Sequence, residues 1–229
     1  MPLALPFNNP TCAPPAMRTV SIGRARITLL ALSLAIAPLS AAGAQGITGL
    51  YNTGVDAAKV KQGVGFTDPH YTVLENGGAQ AIVTNNGSYV QDANSGYIWQ
   101  QADGQPGSTT RTFRTTFTVE SGYDPTTAFL TGQWSTDNFG ANIFLNGVGT
   151  GNTSGGFGSF TSFAINSGFQ SGLNTLDFVV QDFGPPGALD VRGLEGNARP
   201  EVSATPEPAS LVLVATGLLT VGLVRRRRS

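Results

Sequence analysis

Residues 109–119 alternate strictly between two sets of side chains, and this pattern points to a fold built from β-strands. One set comprises Arg111, Phe113, Thr115, Phe117 and Val119, and the other comprises Thr112, Arg114, Thr116 and Thr118. Successive side chains of a strand point to opposite faces, so a period of two built from Phe and Thr indicates a half-buried strand. We therefore expect Phe113 and Phe117 to face the core.

Several other short strands are predicted on both sides of this one. They cover residues 81–84, 96–100, 128–134, 142–145, 160–165, 175–180 and 188–192. The Asn146-Gly147 pair that follows one of them is a strong hairpin signal. Many short strands separated by frequent turns predict an all-β fold, for which we choose a jelly-roll-like antiparallel β-sandwich.

Residues 128–180 carry a set of turns and strand ends that resembles a known fold. A strand ends in Trp134, an Asp137-Asn138 turn follows, and Leu145-Asn146-Gly147 precedes a Gly-x-Asn-x-Leu strand at 172–176. This order resembles the core of galactose-binding-like β-sandwich modules. The resemblance implies a β-sandwich, and members of that fold class often bind sugars.

A sugar-binding module needs an exposed aromatic side chain with polar groups beside it. The two tryptophans are Trp99 and Trp134, and Trp134 stands just before the Asp137-Asn138 turn. We therefore predict Trp99, Trp134, Asp137 and Asn138 as candidate ligand-binding residues. Packing of the indole rings in the core is the alternative, because spacing alone does not say which face of a strand is wet. Tyr97, which shares a face with Trp99, and Tyr123 add to the candidate stacking surface.

The charge of the predicted domain excludes some partners. Residues 45–204 contain thirteen acidic and six basic residues, a net charge of −7, and no cysteine. An acidic domain with few Lys or Arg residues is a poor match for nucleic acid or anionic lipid. Without cysteine it has neither a disulfide nor a thiolate metal site, and we predict no metal and no cofactor.

No catalytic constellation is apparent, so we predict that the chain is not an enzyme. The sequence lacks the nucleophile-elbow, zinc-protease and phosphate-loop motifs, and its only histidine, His70, is predicted on the surface beside a turn. Asp177 and Asp182 are the candidate carboxylate pair for a glycosidase, but we expect surface acids there. Asp124 and Asp137 lack the EF-hand spacing, although a calcium site built with carbonyl oxygens stays open.

The N-terminal residues have the organisation of a signal peptide. After Met17, a candidate start, come three arginines, an apolar run over 27–39 and the small residues Ala42-Gly43-Ala44. We predict that residues 1–44 are the signal peptide, that cleavage follows Ala44, and that the protein crosses the inner membrane through the Sec translocon.

The C-terminal residues 205–229 combine a Pro206-Glu207-Pro208 tripeptide, an uncharged run over 209–224 and the cluster Arg225-Arg226-Arg227-Arg228. Sixteen residues of helix cover about 24 Å, a short membrane span whose arginines mark the cytoplasmic side. The three parts in this order resemble the PEP-CTERM sorting tail, which implies an exosortase as the processing partner. An ordinary tail anchor is the alternative.

These features predict three segments: a signal helix at 1–44, an extracytoplasmic β-sandwich at 45–204 and a C-terminal transmembrane helix within 205–229. The predicted function is that of an exported surface or extracellular-matrix protein, structural or adhesive in an exopolysaccharide biofilm, first anchored by its tail and then processed by an exosortase. The alternative is a carbohydrate-binding module with a defined sugar pocket. In both cases the expected extracellular partner is a polysaccharide.

Overall fold

The structure is a computed structural model and describes residues 46–202, which form eleven strands and one short 3-10 helix, Leu74–Asn76. The strands are β1 (Ile47–Thr48), β2 (Thr67–Val73), β3 (Ala79–Val83), β4 (Ile98–Trp99), β5 (Thr110–Val119), β6 (Tyr123–Asp137), β7 (Phe139–Leu145), β8 (Val148–Gly149), β9 (Thr161–Ile165), β10 (Gly172–Gln181) and β11 (Ala188–Pro200). The predicted signal helix at 1–44 and sorting tail at 205–229 lie outside the described residues.

All strand pairs are antiparallel, and neighbours follow the order β8-β7-β10-β5-β2-β3-β4-β11-β6-β9, with β1 added to β5. The sheet forms two packed layers, because aromatic side chains from the two halves of this strand order contact each other. Trp134 on β6 lies 5.7 Å from Phe178 on β10 between ring centroids, and Trp99 on β4 lies 5.4 Å from Phe113 on β5. The prediction of an all-β antiparallel sandwich is confirmed.

Strand β5 shows why the alternating pattern predicts the fold well. Phe113, Phe117 and Val119 are buried, whereas Thr116 is exposed on the other face. The strand is paired along its whole length with β10 and also with β1 and β2, so its inner side chains reach the middle of the core. The predicted inward orientation of Phe113 and Phe117 is confirmed.

Strand β2 was not predicted, because Asp68-Pro69-His70 has the composition of a turn. The strand pairs with β3 only at its two ends, and Pro69 lies in the unpaired stretch where its missing N–H costs nothing. The carboxylate of Asp68 accepts backbone N–H groups from His70 at 2.7 Å and Tyr71 at 3.2 Å. His70 is half-buried and stacks on Tyr51 with ring centroids 3.5 Å apart, and it lies within a strand where a turn was predicted beside it.

Strands β6 and β11 extend beyond their predicted bounds and pair with each other over most of their length. Register shifts between Arg192 and Glu195 and between Asn197 and Arg199 interrupt the alternation of β11, which is why the sequence pattern stops near Arg192. Within residues 46–202 no helix is long and apolar enough to cross a membrane.

Candidate functional site

The antiparallel pairing divides the connecting segments between two ends of the sandwich. Strands β3, β6 and β10 end at one end of the sandwich, and strands β4, β5, β7 and β11 begin there. Ladder pairs between the last residue of one strand and the first residue of a neighbouring strand show this: Val83 with Ile98, Asp137 with Ala188, and Gln181 with Phe139. We call this the loop end, because the long segments 49–66, 84–97, 100–109 and 150–160 meet there. The opposite end, which includes the Asn146-Gly147 hairpin, is called the turn end.

Both tryptophans of the predicted ligand set are fully buried. Trp99 packs on Phe113 and donates its indole N–H to the carbonyl of Pro106 at 3.2 Å. Gly140 covers Trp134 so closely that a Cβ there would lie 2.4 Å from the ring. A ring must present a free face to stack on a sugar, so the indoles of Trp99 and Trp134 are core residues and not a ligand platform. Tyr97, the third aromatic in that prediction, is also buried.

Asp137 and Asn138 lie at the loop end as the sequence predicts, but only Asn138 approaches the surface. Asp137 is 5% exposed and accepts the Tyr89 hydroxyl through Oδ2 at 2.8 Å, and its Oδ1 has no partner among the described residues. Burial raises the pKa of Asp137; the Tyr89 hydrogen bond opposes this rise, and the nearby Asp182 carboxylate adds to it. Asn138 accepts the backbone N–H of Phe183 through Oδ1 at 2.7 Å.

Two exposed phenylalanines accompany Asn138 where the sequence predicted tryptophan. Phe183 is 70% exposed and Phe139 is 37% exposed. Phe139 is the ladder partner of Gln181, two residues before Phe183, so both aromatic residues lie beside the Asn138 amide. We call Asn138, Phe139, Gln181 and Phe183 the Phe183 platform. Its sequence signal is a large apolar residue just before the Gly184-Pro185-Pro186-Gly187 turn, where burial is not expected.

A separate pocket of about 190 Å³ opens between the segments 61–64 and 83–97. Its walls are formed by Lys61, Gln62, Gly63, Val64, Val83, Thr84, Asn85, Gln91, Gly96 and Tyr97. The ring of Phe66 is 61% exposed and lies next to Gly63, where an added Cβ would be 3.7 Å from it. We call this the Gln62 pocket. No sequence pattern predicts this pocket, because its walls come from two segments that meet only in the fold.

Buried polar groups hold the two walls of the pocket together. Asp68 accepts the N–H of Gly54 at 2.7 Å, and Gly54 in turn accepts the N–H of Gln62 at 2.8 Å. Thr53 accepts the N–H of Gly96 on its carbonyl and directs its hydroxyl at Asp190, 3.3 Å away. Burial raises the pKa of the Asp190 carboxyl to about 7.

Asp92 extends this hydrogen-bond network to the protein surface. Its Oδ2 pairs with Arg192 at 2.9 Å, and its carbonyl accepts the ammonium of Lys61 at 2.6 Å. Burial works to raise the pKa of Asp92, but hydrogen bonds from the Asn94 N–H, Arg192 and Ser95 outweigh it and lower the pKa.

The two carboxylates considered for glycoside cleavage are buried, and the expectation of surface acids was wrong. Asp177 is 6% exposed and forms a two-pronged ion pair with Arg114, with both N–O distances at 2.7 Å. Asp182 is 3% exposed and accepts the N–H groups of Ser108 and Gly184. Their hydrogen bonds give each a structural role.

The pair Asp124 and Asp137, considered for calcium, lies at opposite ends of β6. At about 3.3 Å per residue the two carboxylates are tens of ångströms apart, so they do not share an ion. Asp124 instead accepts the N–H and the hydroxyl of Thr126 at 2.9 and 2.7 Å. Residues 46–202 bring together no group of three or more His, Cys, Asp or Glu side chains suited to a metal.

Comparison with known proteins gives one family match. Residues 79–185 match the family described as "Beta-galactosidase second all-beta domain", which covers just under half of the chain. The matched range begins with β3 and ends after Phe183, so it includes most of the loop end. No curated protein matches the sequence.

Solved structures with detectable similarity include two that contain a CBM35 domain. The CBM35 structure from Paenibacillus barcinonensis is 19% identical, with a TM-score of 0.32 over 54% of this chain and 91% of that chain. The GH26-CBM35 β-(1,4)-mannanase of Podospora anserina is 22% identical, with a TM-score of 0.29 over 56% of this chain and only 26% of that chain. A cyclase from Fischerella sp. TAU, in complex with 4-(1H-indol-3-yl)butan-2-one, is 10% identical, with a TM-score of 0.32 over 66% and 82%. Scores of this size assign neither a family nor a ligand to this chain.

Proposed function

We propose that this protein is a non-catalytic carbohydrate-binding module that holds a glycan at its loop end. The observation that carries the proposal is the Phe183 platform, where two exposed phenylalanines lie beside an amide. The match of residues 79–185 to a domain of β-galactosidase, an enzyme named for a sugar substrate, supports the same function.

The chemistry of the platform suits a sugar ring, which has an apolar C–H face and a polar rim. Phe183 offers a rigid aromatic surface for the C–H face. Asn138 uses its Oδ1 for the Phe183 N–H, and its Nδ2 makes no hydrogen bond to the described residues. That amide is therefore free to donate to a hydroxyl on the rim, and Gln181 is the ladder partner of the adjacent Phe139.

A glycan array probed with the full-length protein tests this proposal. We expect saturable binding to one family of related glycans, and a loss of about tenfold with Phe183→Ala, because aromatic anchors carry much of the binding energy. Phe129→Ala is the matched control, since Phe129 is also exposed but lies on β6 away from the loop end. Equal losses with Phe129→Ala, or none with Phe183→Ala, would remove the platform from the proposal.

The structural or adhesive role in a polysaccharide matrix is the second candidate, and its support is the arrangement of the sequence between two targeting segments. A matrix protein of this kind binds many glycans broadly and weakly. The same array separates the two functions, because broad binding that is insensitive to Phe183→Ala supports the matrix role.

We further propose that the protein is exported through the Sec translocon and processed by an exosortase at the Pro206-Glu207-Pro208 tail, which leads it to the cell surface or beyond. The support is the sequence of residues 1–44 and 205–229 alone. In a host with an exosortase, replacing Pro206 and Pro208 together by Ala is expected to leave a membrane-bound precursor that still carries Arg225–Arg228. A plain tail anchor predicts the same chain size for both versions.

A further inference from the structure

We propose that the Gln62 pocket is a second binding site, separate from the Phe183 platform, and that it takes one ring of a neutral sugar through a pair of adjacent hydroxyls. The two sites share no residue, so neither proposal depends on the other.

The carboxamide of Gln62 makes no hydrogen bond to the described residues. Its Oε1 is buried and has no hydrogen-bond partner among the described residues, and its Nε2 makes no hydrogen bond to them either. Leaving a buried acceptor unpaired costs about 1–3 kcal/mol. The terminal torsion of a glutamine is broad, so the amide turns towards the pocket at little cost when a ligand offers a donor.

Lys61 lies next to Gln62 in the same wall of the pocket. Its ammonium donates to the Asp92 carbonyl at 2.6 Å, and an ammonium has three N–H donors. Two donors therefore remain for a ligand acceptor. The pocket thus combines an acceptor that lacks a donor with a donor that has spare capacity.

This pairing selects the chemical class of the ligand. A hydroxyl both donates and accepts, so two adjacent hydroxyls satisfy Gln62 and Lys61 together. A carboxylate accepts from Lys61 but offers no hydrogen to Gln62 Oε1, so that buried acceptor stays unpaired. An ammonium group is repelled by Lys61 itself, so a neutral polyol ring is the class that fits.

The size of the pocket and its rim agree with a single ring. A cavity of about 150 Å³ admits a benzene-sized molecule, so about 190 Å³ accommodates one six-membered ring. Phe66 stands beside Gly63 with an exposed ring that can cover the apolar face of such a ligand. The walls are held in place, because Val83 exchanges backbone hydrogen bonds with Gly65 and Phe66 at 2.9 and 2.8 Å.

Another pocket, of about 200 Å³, lies at the turn end among Leu145, Val148 and Ser167 and shows what the Gln62 pocket adds. None of its lining side chains has a buried polar atom without a partner. The two pockets are therefore similar in volume. Of the two, the Gln62 pocket is the one lined by a buried polar atom without a partner among the described residues.

The test is a titration of the full-length protein with methyl glycosides of glucose, galactose and mannose, followed by ligand-observed NMR. At least one is expected to bind saturably, with glucuronate and glucosamine weaker than the corresponding neutral sugar. Gln62→Met keeps the volume of the side chain but removes both polar atoms, and Lys61→Met removes the donor. Each is expected to lower the affinity at least tenfold, whereas Gln80→Met, at an exposed glutamine of β3, leaves it unchanged.

A stability measurement and the platform variant complete the test. Gln62→Met is expected to unfold at the same or a higher temperature, because it removes an unpaired buried acceptor. Phe183→Ala is expected to leave this binding intact, which distinguishes failure of the pocket from failure of the platform. The inference is overturned if no neutral glycoside binds saturably up to about 10 mM, if both Gln62→Met and Lys61→Met bind like the wild type, or if glucuronate binds best.

Discussion

The turn end and the loop end of the sandwich differ in how completely their polar side chains are hydrogen-bonded. At the turn end, Asn146 Nδ2 donates to the Gly168 carbonyl and to Asn174 Oδ1 at 2.9 and 2.8 Å. Asn174 is fully buried, and its Nδ2 donates to two carbonyls, those of Gln170 and Gly172, both at 2.8 Å. Every hydrogen-bonding group of the two amides is used inside the chain, so this end is built for stability.

The loop end leaves hydrogen-bonding capacity unused and aromatic surface exposed. Buried atoms without a partner among the described residues occur at Gln62 and Asp137, and Phe66, Phe139 and Phe183 are exposed there. Unpaired buried polar groups weaken a fold, and clustered exposed apolar surface is typical of interaction sites. Their concentration at one end, while the other end has its amides fully paired, is the reason we propose ligand binding at the loop end. Four predictions test this contrast.

The largest effect is expected in the core beneath the turn end. Phe117 is 2% exposed and packs against Phe169 with centroids 6.1 Å apart, so Phe117→Ala should lower the free energy of unfolding by about 3–5 kcal/mol. Denaturant unfolding of the full-length protein measures this loss. A loss below about 1 kcal/mol would mean that the core does not depend on this face of β5.

A somewhat smaller loss is expected for the amide network itself. Asn174→Ala removes one of the two acceptors of Asn146 Nδ2 and the partner of both Gln170 backbone groups, and should cost about 2–3 kcal/mol of unfolding free energy. Glycan binding should not change, because the network lies at the opposite end from the Phe183 platform. If the variant instead lost glycan affinity while remaining folded, the separation of roles between the two ends would be wrong.

The pH dependence of stability should originate mainly at the loop end. Burial raises the pKa of Asp190 to about 7, above the unfolded value of about 3.9. The folded state therefore keeps a proton that the unfolded state loses, and the resulting stability is complete below about pH 4 and declines as the pH rises to about 7. The Asp190 carboxylate is hydrogen-bonded by Ser95 and Thr53 and lies close to the charges of Asp92 and Lys61. Asp190 in turn acts on the hydroxyls of Tyr71 on β2 and Tyr97 before β4.

Thermal unfolding between pH 4 and 8 measures this dependence. The melting temperature of the wild type should fall by a few degrees over that range, and Asp190→Asn should reduce the slope. Part of the slope should remain in Asp190→Asn, because burial also raises the pKa values of Asp68 and Asp137. A slope that is the same in Asp190→Asn and the wild type would place the titrating group elsewhere.

The smallest effect on stability is expected at the platform. Asn138→Ala removes only the acceptor for the Phe183 N–H and should cost about 1 kcal/mol or less. Its glycan affinity should nevertheless fall, since the variant also lacks Nδ2. Comparison with Asn174→Ala, which has the reverse pattern, shows directly whether the two ends separate stability from binding.

The sequence predicts the parts of this molecule that depend on local periodicity. Phe113 and Phe117 repeat on one face of a strand, and Asn146-Gly147 forms a tight hairpin, with both residues at positive φ. Strand β2 escapes prediction because Pro69 breaks the pattern while the Asp68 carboxylate, a tertiary feature of the loop end, replaces the missing backbone bonds.

The candidate site is less accessible to sequence reasoning. The alternation of a strand places Trp99 on one face and its neighbours on the other. Whether that face is buried depends on the packing of the second layer, which sequence alternation does not reveal. Asn138 was found because the Asp137-Asn138 turn is local. Phe183 and Gln62 were missed, because an exposed ring and an unpaired amide are defined by what surrounds them in the fold.

The most direct test of the central claim locates the bound glycan on the protein. With the best glycan from the array, amide NMR shifts of the isotope-labelled full-length protein are followed during a titration. Ligand binding at the loop end predicts shifts at Asn138, Phe139 and Phe183, with the Asn146 and Asn174 amides unchanged. Shifts centred on Asn146 and Asn174, with Asn138 and Phe183 unaffected, would contradict the account.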